Sequence, residues 1–414
     1  MTAVCKQFPI HVLYLYFDDI SAAKGPSVNE REFLNGLAAS GIPFTAVIPE
    51  PARHVEVLGF QDVLTVSPLR SSRLHQSVFG QLSVLSAAIS VLRRSQNKNH
   101  HIVVRLPALP WAVNLLALFF PHIPLHVKSL GDTDFLKRKG GLNGLLLKPV
   151  ASVQSWMVRS ALKRVQTIDT VTEKLAGLIA RTNKLDPGKI HVIPNGTNTK
   201  RFHPTTNHIT NNIDISRNQF VVGYVGGQPF TRGGRQIIQA VSRLSDLLPE
   251  IRCRIAGGDV QDLERVAIEY GVESRCDIVG KIPYDDVNDF LNSLDVLFAT
   301  DDSSRAKMLG NSNQKIRQAL SIGVPVISNS EAEADFLKNN LIHAVDTDDI
   351  DEVCNSLFLI YNIDALQRKA FARKARNFIH ENYSLNVLTE RRLNIWAAKR
   401  SGNAFWMKDD GSVS

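Results

Sequence analysis

The stretch Phe220-Val-Val-Gly-Tyr-Val-Gly-Gly-Gln-Pro-Phe-Thr-Arg-Gly-Gly234 decides the fold. A short apolar run of strand length passes into a turn bearing glycines, and a helical segment follows. Strand, turn and helix in that order form the repeating unit of a parallel sheet covered by helices on both faces. The turn also has a chemical meaning, because it presents unbonded backbone amides and the positive end of a helix, an arrangement that suits a diphosphate. A tight strand-to-helix connection with no ligand uses the same residue types, so position must separate the two readings.

Working outward, the residues just upstream supply that position. Pro204 to Asn218 is polar, turn-prone and without core periodicity, as an interdomain linker is. It divides the chain into residues 1–205 and 206–384, with a last helical region, about 385–414, expected to pack back on the first part. Before the linker, apolar runs of strand length fall at 11–17, 44–48, 101–105, 125–130, 165–169 and 190–193. Helices are expected between them, including Asn29 to Ser40, stopped by Gly41, and Gln76 to Arg94. After the linker, strands are expected at 220–225, 252–256, 276–279, 296–300 and 324–328, so the architecture repeats although no fixed-period sequence repeat is present. The class is α/β, and Lys408 to Ser414 reads as a frayed tail.

Size and composition agree with two cores. A chain of 414 residues exceeds one ordinary domain, and its 44% hydrophobic and 21% charged content is that of a globular protein. No apolar run reaches the roughly 18 residues needed to span a bilayer. The stretch His11 to Phe17 follows no basic cluster and leads into Asp18-Asp19, which favours a buried strand over a signal peptide and a cytoplasmic location, with peripheral membrane attachment open. Cys5, Cys253, Cys276 and Cys354 lack metal-type spacing, so reduced thiols are expected. The net charge of +8 favours an anionic partner.

Val192-Ile-Pro-Asn-Gly-Thr-Asn-Thr-Lys-Arg-Phe-His-Pro204 is a strand entering an Asn-Gly turn, where Gly196 allows positive φ and Asn195 offers an amide. It resembles the Val-Ile-Pro-Asn-Gly-Val-Asp segment of glycosyltransferase family 4, retaining enzymes of GT-B fold. Asp295-Val-Leu-Phe-Ala-Thr300 and Gln318-Ala-Leu-Ser-Ile-Gly-Val-Pro-Val-Ile-Ser328 resemble further segments of that family, so the likeness covers most of the C-terminal half. The resemblance implies two Rossmann-like domains whose parallel sheets face across a cleft, and a nucleotide sugar held mainly by the second. It implies a hexosyltransferase-type reaction with retention, no metal, and a donor site containing Gly226, Gly227, Gln228, Arg232 and Gly258 of the Ala256-Gly-Gly-Asp259 turn. Asn195 and Gly196 are expected between the domains.

The chain departs from the family at three points. Of the Arg and Lys that neutralise the donor diphosphate, Arg232 falls on the second and Gly227 on the first, leaving a charge to be supplied elsewhere, with Arg235 and Arg305 as candidates. The family's two glutamates, one touching the donor sugar and one the ribose, correspond to Gly310 and Gln318. Gln318 can still hydrogen-bond a ribose hydroxyl. In place of the other acid, amides of Asn311, Ser312, Asn313, Gln314 and Lys315, at the start of a helix from about Gln314, can hold a phosphate or a carboxylated sugar. Asp302 in Asp301-Asp302 and Asp132 in Ser129-Leu-Gly-Asp-Thr133 are candidate acids, with a solvated loop as the equal alternative for the former.

On the acceptor side the resemblance points to a loop containing Lys24, Gly25, Pro26, Ser27 and Asn29, and to Arg105 at a strand end. His126 is read as a core histidine. The stretch Lys137 to Arg164 has seven basic residues and no acidic one, interleaved with Val153 and Trp156. It is read either as a solvated basic helix or as a surface for an anionic membrane. Nucleic acid is not expected, since no aromatic stacking platform accompanies the charge. The expected function is transfer of a sugar from a nucleoside-diphosphate sugar to a glycan or lipid-linked acceptor, in surface polysaccharide or glycoconjugate biosynthesis. A nucleotide-sugar epimerase and a non-catalytic scaffold are the alternatives.

Overall fold

A computed structural model describes residues 10–22, 25–52, 62–67, 73–94, 99–129, 131, 148–205, 219–300, 307–310, 312–329 and 334–400. The chain forms two compact units. Unit 1 comprises Met1–Ala22, Phe33–Ile193 and Asn386–Ser414, and unit 2 comprises Ala23–Glu32 and Pro194–Leu385.

The sheet of unit 1 is built from β1 (His11–Leu15), β2 (Phe44–Pro49), β3 (Val63–Val66), β4 (His100–Arg105), β5 (Leu125–Lys128), β6 (Thr167–Thr170) and β7 (Ile190–Val192). All pairings are parallel, in the order β3-β2-β1-β4-β5-β6-β7. The helices in chain order are α1 (Gly25–Ala39), α2 (Arg73–Arg94), α3 (Trp111–Phe119), α4 (Lys148–Arg164) and α5 (Glu173–Asn183). Every residue of β1 is buried, which is why a central strand covered on both faces reads as an unbroken apolar run. The edge strand β3 was not foreseen. Its Leu64 and Thr65 are exposed, so a two-sided apolar signal is missing.

Unit 2 carries β8 (Phe220–Gly226), α6 (Arg235–Leu244), β9 (Ile251–Gly257), α7 (Val260–Glu269), β10 (Cys276–Gly280), α8 (Val287–Asn292), β11 (Val296–Phe298), α9 (Gln314–Ile322), β12 (Val326–Asn329), α10 (Ala334–Lys338), β13 (Ile342–Val345), α11 (Ile350–Tyr361) and α12 (Ala365–Tyr383). Its sheet is also parallel, in the order β10-β9-β8-β11-β12-β13. Alternate residues feed two cores. Val222, Tyr224, Val296 and Phe298 pack with α6 and α11, while Leu297 and Ala299 pack with α9 and α12. Cys253 and Cys276 face each other across β9 and β10, and both are free thiols.

The final helix, α13 (Leu385–Arg400), belongs to unit 1 apart from its first residue. Leu393 and Trp396 enter the core formed with Val12, Tyr14 and Phe33. Arg392 Nε donates to Asp169 Oδ2 at 3.1 Å in a buried pair. Trp396 also stacks on His126, which is fully buried and bonded to His101 at 3.0 Å and Thr167 at 2.7 Å. Burial, then repulsion from His101 and His191, holds the His126 imidazole well below its usual pKa. It is a neutral core residue.

Two expectations are corrected. The compact units divide after Ile193, ahead of the polar stretch read as the linker, because residues following β7 are bonded into unit 2. Phe202 is wholly buried in a unit 2 core, Thr197 N donates to Tyr383 O at 3.0 Å, and Ser321 Oγ donates to Phe202 O at 2.7 Å. Second, Gly25, Pro26, Ser27 and Asn29 form the first turns of α1 and not a loop. Pro26 suits a helix start, where its missing N–H costs nothing, and Ser27 and Glu30 are wholly buried.

Candidate functional site

In an open parallel sheet, ligands bind where the strand order reverses, beyond the carboxyl ends of the strands. In unit 2 that point lies between β8 and β11. Gly226 ends β8 there, exposed Gly227 and Gln228 follow, and a wide turn over Phe230–Gly234 leads into α6. No heavy atom lies within 4 Å of the place where a side chain on Gly227 would begin, so the turn is open at that residue. At Gly226 the Tyr224 hydroxyl occupies that place, 2.7 Å away, and the turn is closed from below.

The far end of the turn is pinned to β11. Thr300 Oγ1 donates to the Arg232 carbonyl at 2.9 Å. Arg232, at φ −126° and ψ 40°, is followed by Gly233 at φ 103°, and a methyl group on Gly233 would lie 2.5 Å from Phe298 Cδ1. Glycine is required here both by the positive φ and by the contact. The half-buried Arg232 therefore sits on the segment bonded to β11. The turn after β9 approaches the same place: a side chain on Gly258 would meet the Gly227 carbonyl at 3.0 Å.

The second wall is the start of α9. Asn313 occupies the position before the first helical residue without capping it, and its Nδ2 is buried with no hydrogen-bond partner. Lys315, in the first turn, places Nζ 3.8 Å from the centre of the Tyr224 ring. Asn195 braces this helix start, its Nδ2 donating to Ser312 O at 2.9 Å, and Gln314 Nε2 donates to Gly196 O at 3.3 Å. Gly196 does not use the positive φ open to it. The glycines in that conformation among the described residues are Gly41, Gly233, Gly271, Gly280, Gly310 and Gly323.

One turn further along α9, Gln318 is buried and its Nε2 donates to Tyr284 Oη at 3.3 Å. Tyr284 Oη in turn donates to Glu32 Oε1 at 2.8 Å. Burial and the Glu32 carboxylate push the Tyr284 phenol well above its usual pKa, so it remains a donor. The guanidiniums of Arg31 and Arg201 lie 5.5 and 5.2 Å from its ring centre. An amide at 318 can donate to a phenol oxygen already committed to a carboxylate, which a glutamate at neutral pH cannot. Sequence reasoning missed Tyr284, Glu32 and Tyr224, because their neighbours are distant in the chain.

Of the remaining predicted residues, Arg105 ends β4 in unit 1 and is half-buried. Lys24, Asp132, Asp302, Arg305 and Asn311 lie outside the described residues. Among the described residues no group of three or more His, Cys, Asp and Glu is arranged to hold a metal ion, and no helix is long and apolar enough to cross a membrane. The described part of the basic stretch is α4, where Val150, Val153 and Trp156 are exposed, Trp156 by 69%, with exposed Lys163 and Arg164 in the last turn.

Comparisons with known proteins accord with this fold. Residues 24–196 match the family described as Glycosyl transferase 4-like domain, and residues 206–378 match Glycosyl transferases group 1. The 2-deoxystreptamine glucosyltransferase of Streptomyces kanamyceticus is 27% identical over 158 residues, 36% of this chain and 39% of that protein, so the chain aligns with about two fifths of that relative. Sucrose-phosphate synthase of Thermosynechococcus elongatus has a similar structure, with a TM-score of 0.69 at 14% identity, covering 96% of this chain and 100% of that one. The Anabaena protein HepE, solved with UDP and glucose, gives 0.65 at 14% identity over 94% and 99%.

Proposed function

Because this chain belongs to the glycosyltransferases of GT-B fold, with a 4-like domain followed by a group 1 domain, we propose that unit 2 binds a nucleoside-diphosphate sugar where β8 meets β11, for transfer of the sugar to a glycan or lipid-linked hydroxyl. One observation carries the proposal: the open turn at Gly227 and the uncapped start of α9 meet at the strand reversal of a parallel sheet. Both present backbone amides, and Arg232 adds a charge.

The chemistry follows from charge. As the bond between sugar and diphosphate loosens, negative charge builds on the departing oxygen. Fixed amides, the positive end of α9 and the Arg232 guanidinium stabilise that charge without rearranging. Gln318, with its Nε2 committed to Tyr284, keeps Oε1 to accept from a ribose hydroxyl. Retention at the anomeric carbon is part of the proposal and rests on the family resemblance. The exposed apolar and basic stripe of α4 supports a lipid-linked acceptor at an anionic surface, in surface polysaccharide or glycoconjugate synthesis. A cytoplasmic location against the inner face of a membrane is part of the same proposal. The name of the Streptomyces relative adds small aminocyclitols to the acceptors worth testing.

The test is a panel of nucleotide sugars scored by thermal stabilisation, followed by product analysis with and without acceptor. A donor binds the folded state and raises its melting temperature. A glycosylated product formed only with acceptor supports transfer. An isomerised nucleotide sugar formed without acceptor identifies an epimerase, and the absence of any stabilisation leaves a scaffold protein.

A further inference from the structure

We propose that Lys315 is the second cation of the diphosphate site, opposite Arg232, and that it takes up the charge released when the sugar departs. The inference rests on the donor site proposed above. The leaving nucleoside diphosphate carries one more negative charge than the sugar nucleotide. Within the turn Gly226–Gly234 the sole basic residue is Arg232. The other wall offers a second positive group at Lys315.

Lys315 is placed for that role by two contacts. Its ammonium lies 3.8 Å from the centre of the Tyr224 ring, and the hydroxyl of the same ring lies directly beneath Gly226. The ammonium therefore borders the near end of the turn, whose far end holds Arg232 against Thr300. A cation in the first turn of a helix faces the positive end of the backbone dipole, which is its unfavourable position. The Tyr224 face offsets part of that cost by attraction to the ring. Anion binding at the same helix start reverses its sign. The unpartnered Nδ2 of Asn313, one residue before the helix, supplies a further donor at that place.

Gly227 provides an independent check. It is exposed, its φ is not in the left-handed region, and nothing lies within 4 Å of where a side chain would start. An arginine introduced there has room to reach the bound diphosphate. If Lys315 acts as the second cation, Gly227→Arg compensates for its loss.

The experiment measures binding of UDP, GDP, ADP and dTDP, and of the corresponding nucleosides, by calorimetry at low salt. It compares the wild type with Lys315→Met, Lys315→Arg and the Gly227→Arg/Lys315→Met double variant, after melting curves for each. For the preferred diphosphate we expect Lys315→Met to weaken binding at least tenfold while nucleoside binding changes less than threefold. Lys315→Arg is expected to stay within threefold of wild type, and the double variant to recover most of the loss. A folded Lys315→Met protein that binds the diphosphate as well as wild type overturns the inference and leaves the donor site standing. Equal loss for diphosphate and nucleoside overturns it too, because it marks a structural role. A wild type that binds no diphosphate overturns the donor site and this inference together.

Discussion

Gly233→Ala is expected to destabilise unit 2 and to displace Arg232, whereas Gly227→Ala, six residues earlier in the same turn, is expected to do neither. At Gly233 the added methyl would sit 2.5 Å from Phe298 Cδ1, 2.6 Å from Phe298 Cε1 and 2.7 Å from Thr300 Oγ1. Phe298 is wholly buried in the core shared with α6 and α11. The positive φ alone costs an alanine about 1–2 kcal/mol. Overpacking against a fixed core adds roughly 1–3 kcal/mol. The sum, about 2–5 kcal/mol, corresponds to a fall on the order of 5–15 °C in the melting of a unit of this size. At Gly227 the added methyl meets nothing, and the change should stay within about 0.5 kcal/mol. Trp111, Trp156 and Trp396 belong to unit 1, so in a Trp406→Phe background tryptophan fluorescence follows that unit while far-UV circular dichroism follows both. The predicted signature of Gly233→Ala is a dichroism transition that falls further than the fluorescence transition, with weakened diphosphate binding. Indistinguishable melts for the two alanine variants would refute the reasoning.

Two further outcomes concern unit 1. Because burial and neighbouring histidines lower the pKa of His126 in the folded state, its stabilising contribution is complete above the unfolded value of about 6.5 and is lost as pH falls below it. Each unmatched proton is worth about 1.4 kcal/mol per pH unit, so the fluorescence melt should drop between pH 7.5 and 5.5, and His126→Gln should flatten that slope. Parallel slopes in the two proteins would exclude His126 as the source. For α4, sedimentation with vesicles of neutral and of anionic phospholipid is expected to show binding to the anionic ones only, falling several-fold in Trp156→Ser and again at high salt. Binding that ignores both changes would assign membrane contact to another surface.

The parts legible in the sequence were those that repeat a local pattern. Central strands such as His11–Leu15 and Phe220–Gly226 are buried on both faces and announce themselves as apolar runs. The start of α9 falls at Gln314, where the sequence led a helix to be expected, and the strand-turn-helix around Arg232 is marked by its glycines. Edge strands escaped notice because half their surface is wet, as at Leu64. The polar stretch after Pro204 misled the division, since the bonds tying Thr197 and Phe202 into unit 2 join residues far apart in sequence. Tyr284, which fixes Gln318, lies 34 positions away from it, and no local pattern connects the two.

The replacements in the proposed donor site share one direction, and that direction bears on the sugar. Where the family resemblance places two glutamates, this chain has Gly310, at φ 72°, and Gln318, whose amide is committed to Tyr284. Two negative charges are thereby absent beside α9, and Lys315 is present at the helix end least hospitable to a cation. A glutamate returned to position 310 would have to adopt a left-handed backbone, which a branched or bulky L-residue accepts only at a cost. A neutral hexose gains nothing from the positive end of α9. A sugar bearing a carboxylate or a phosphate does, through the amides at Ser312, Asn313 and Gln314. A nucleotide sugar with an acidic hexose should therefore stabilise the protein more than its neutral counterpart on the same base, and the margin should shrink as salt rises. A neutral sugar that stabilises as well as or better than the acidic one at low salt would mean that the lost carboxylates are replaced by hydrogen bonds and not by charge.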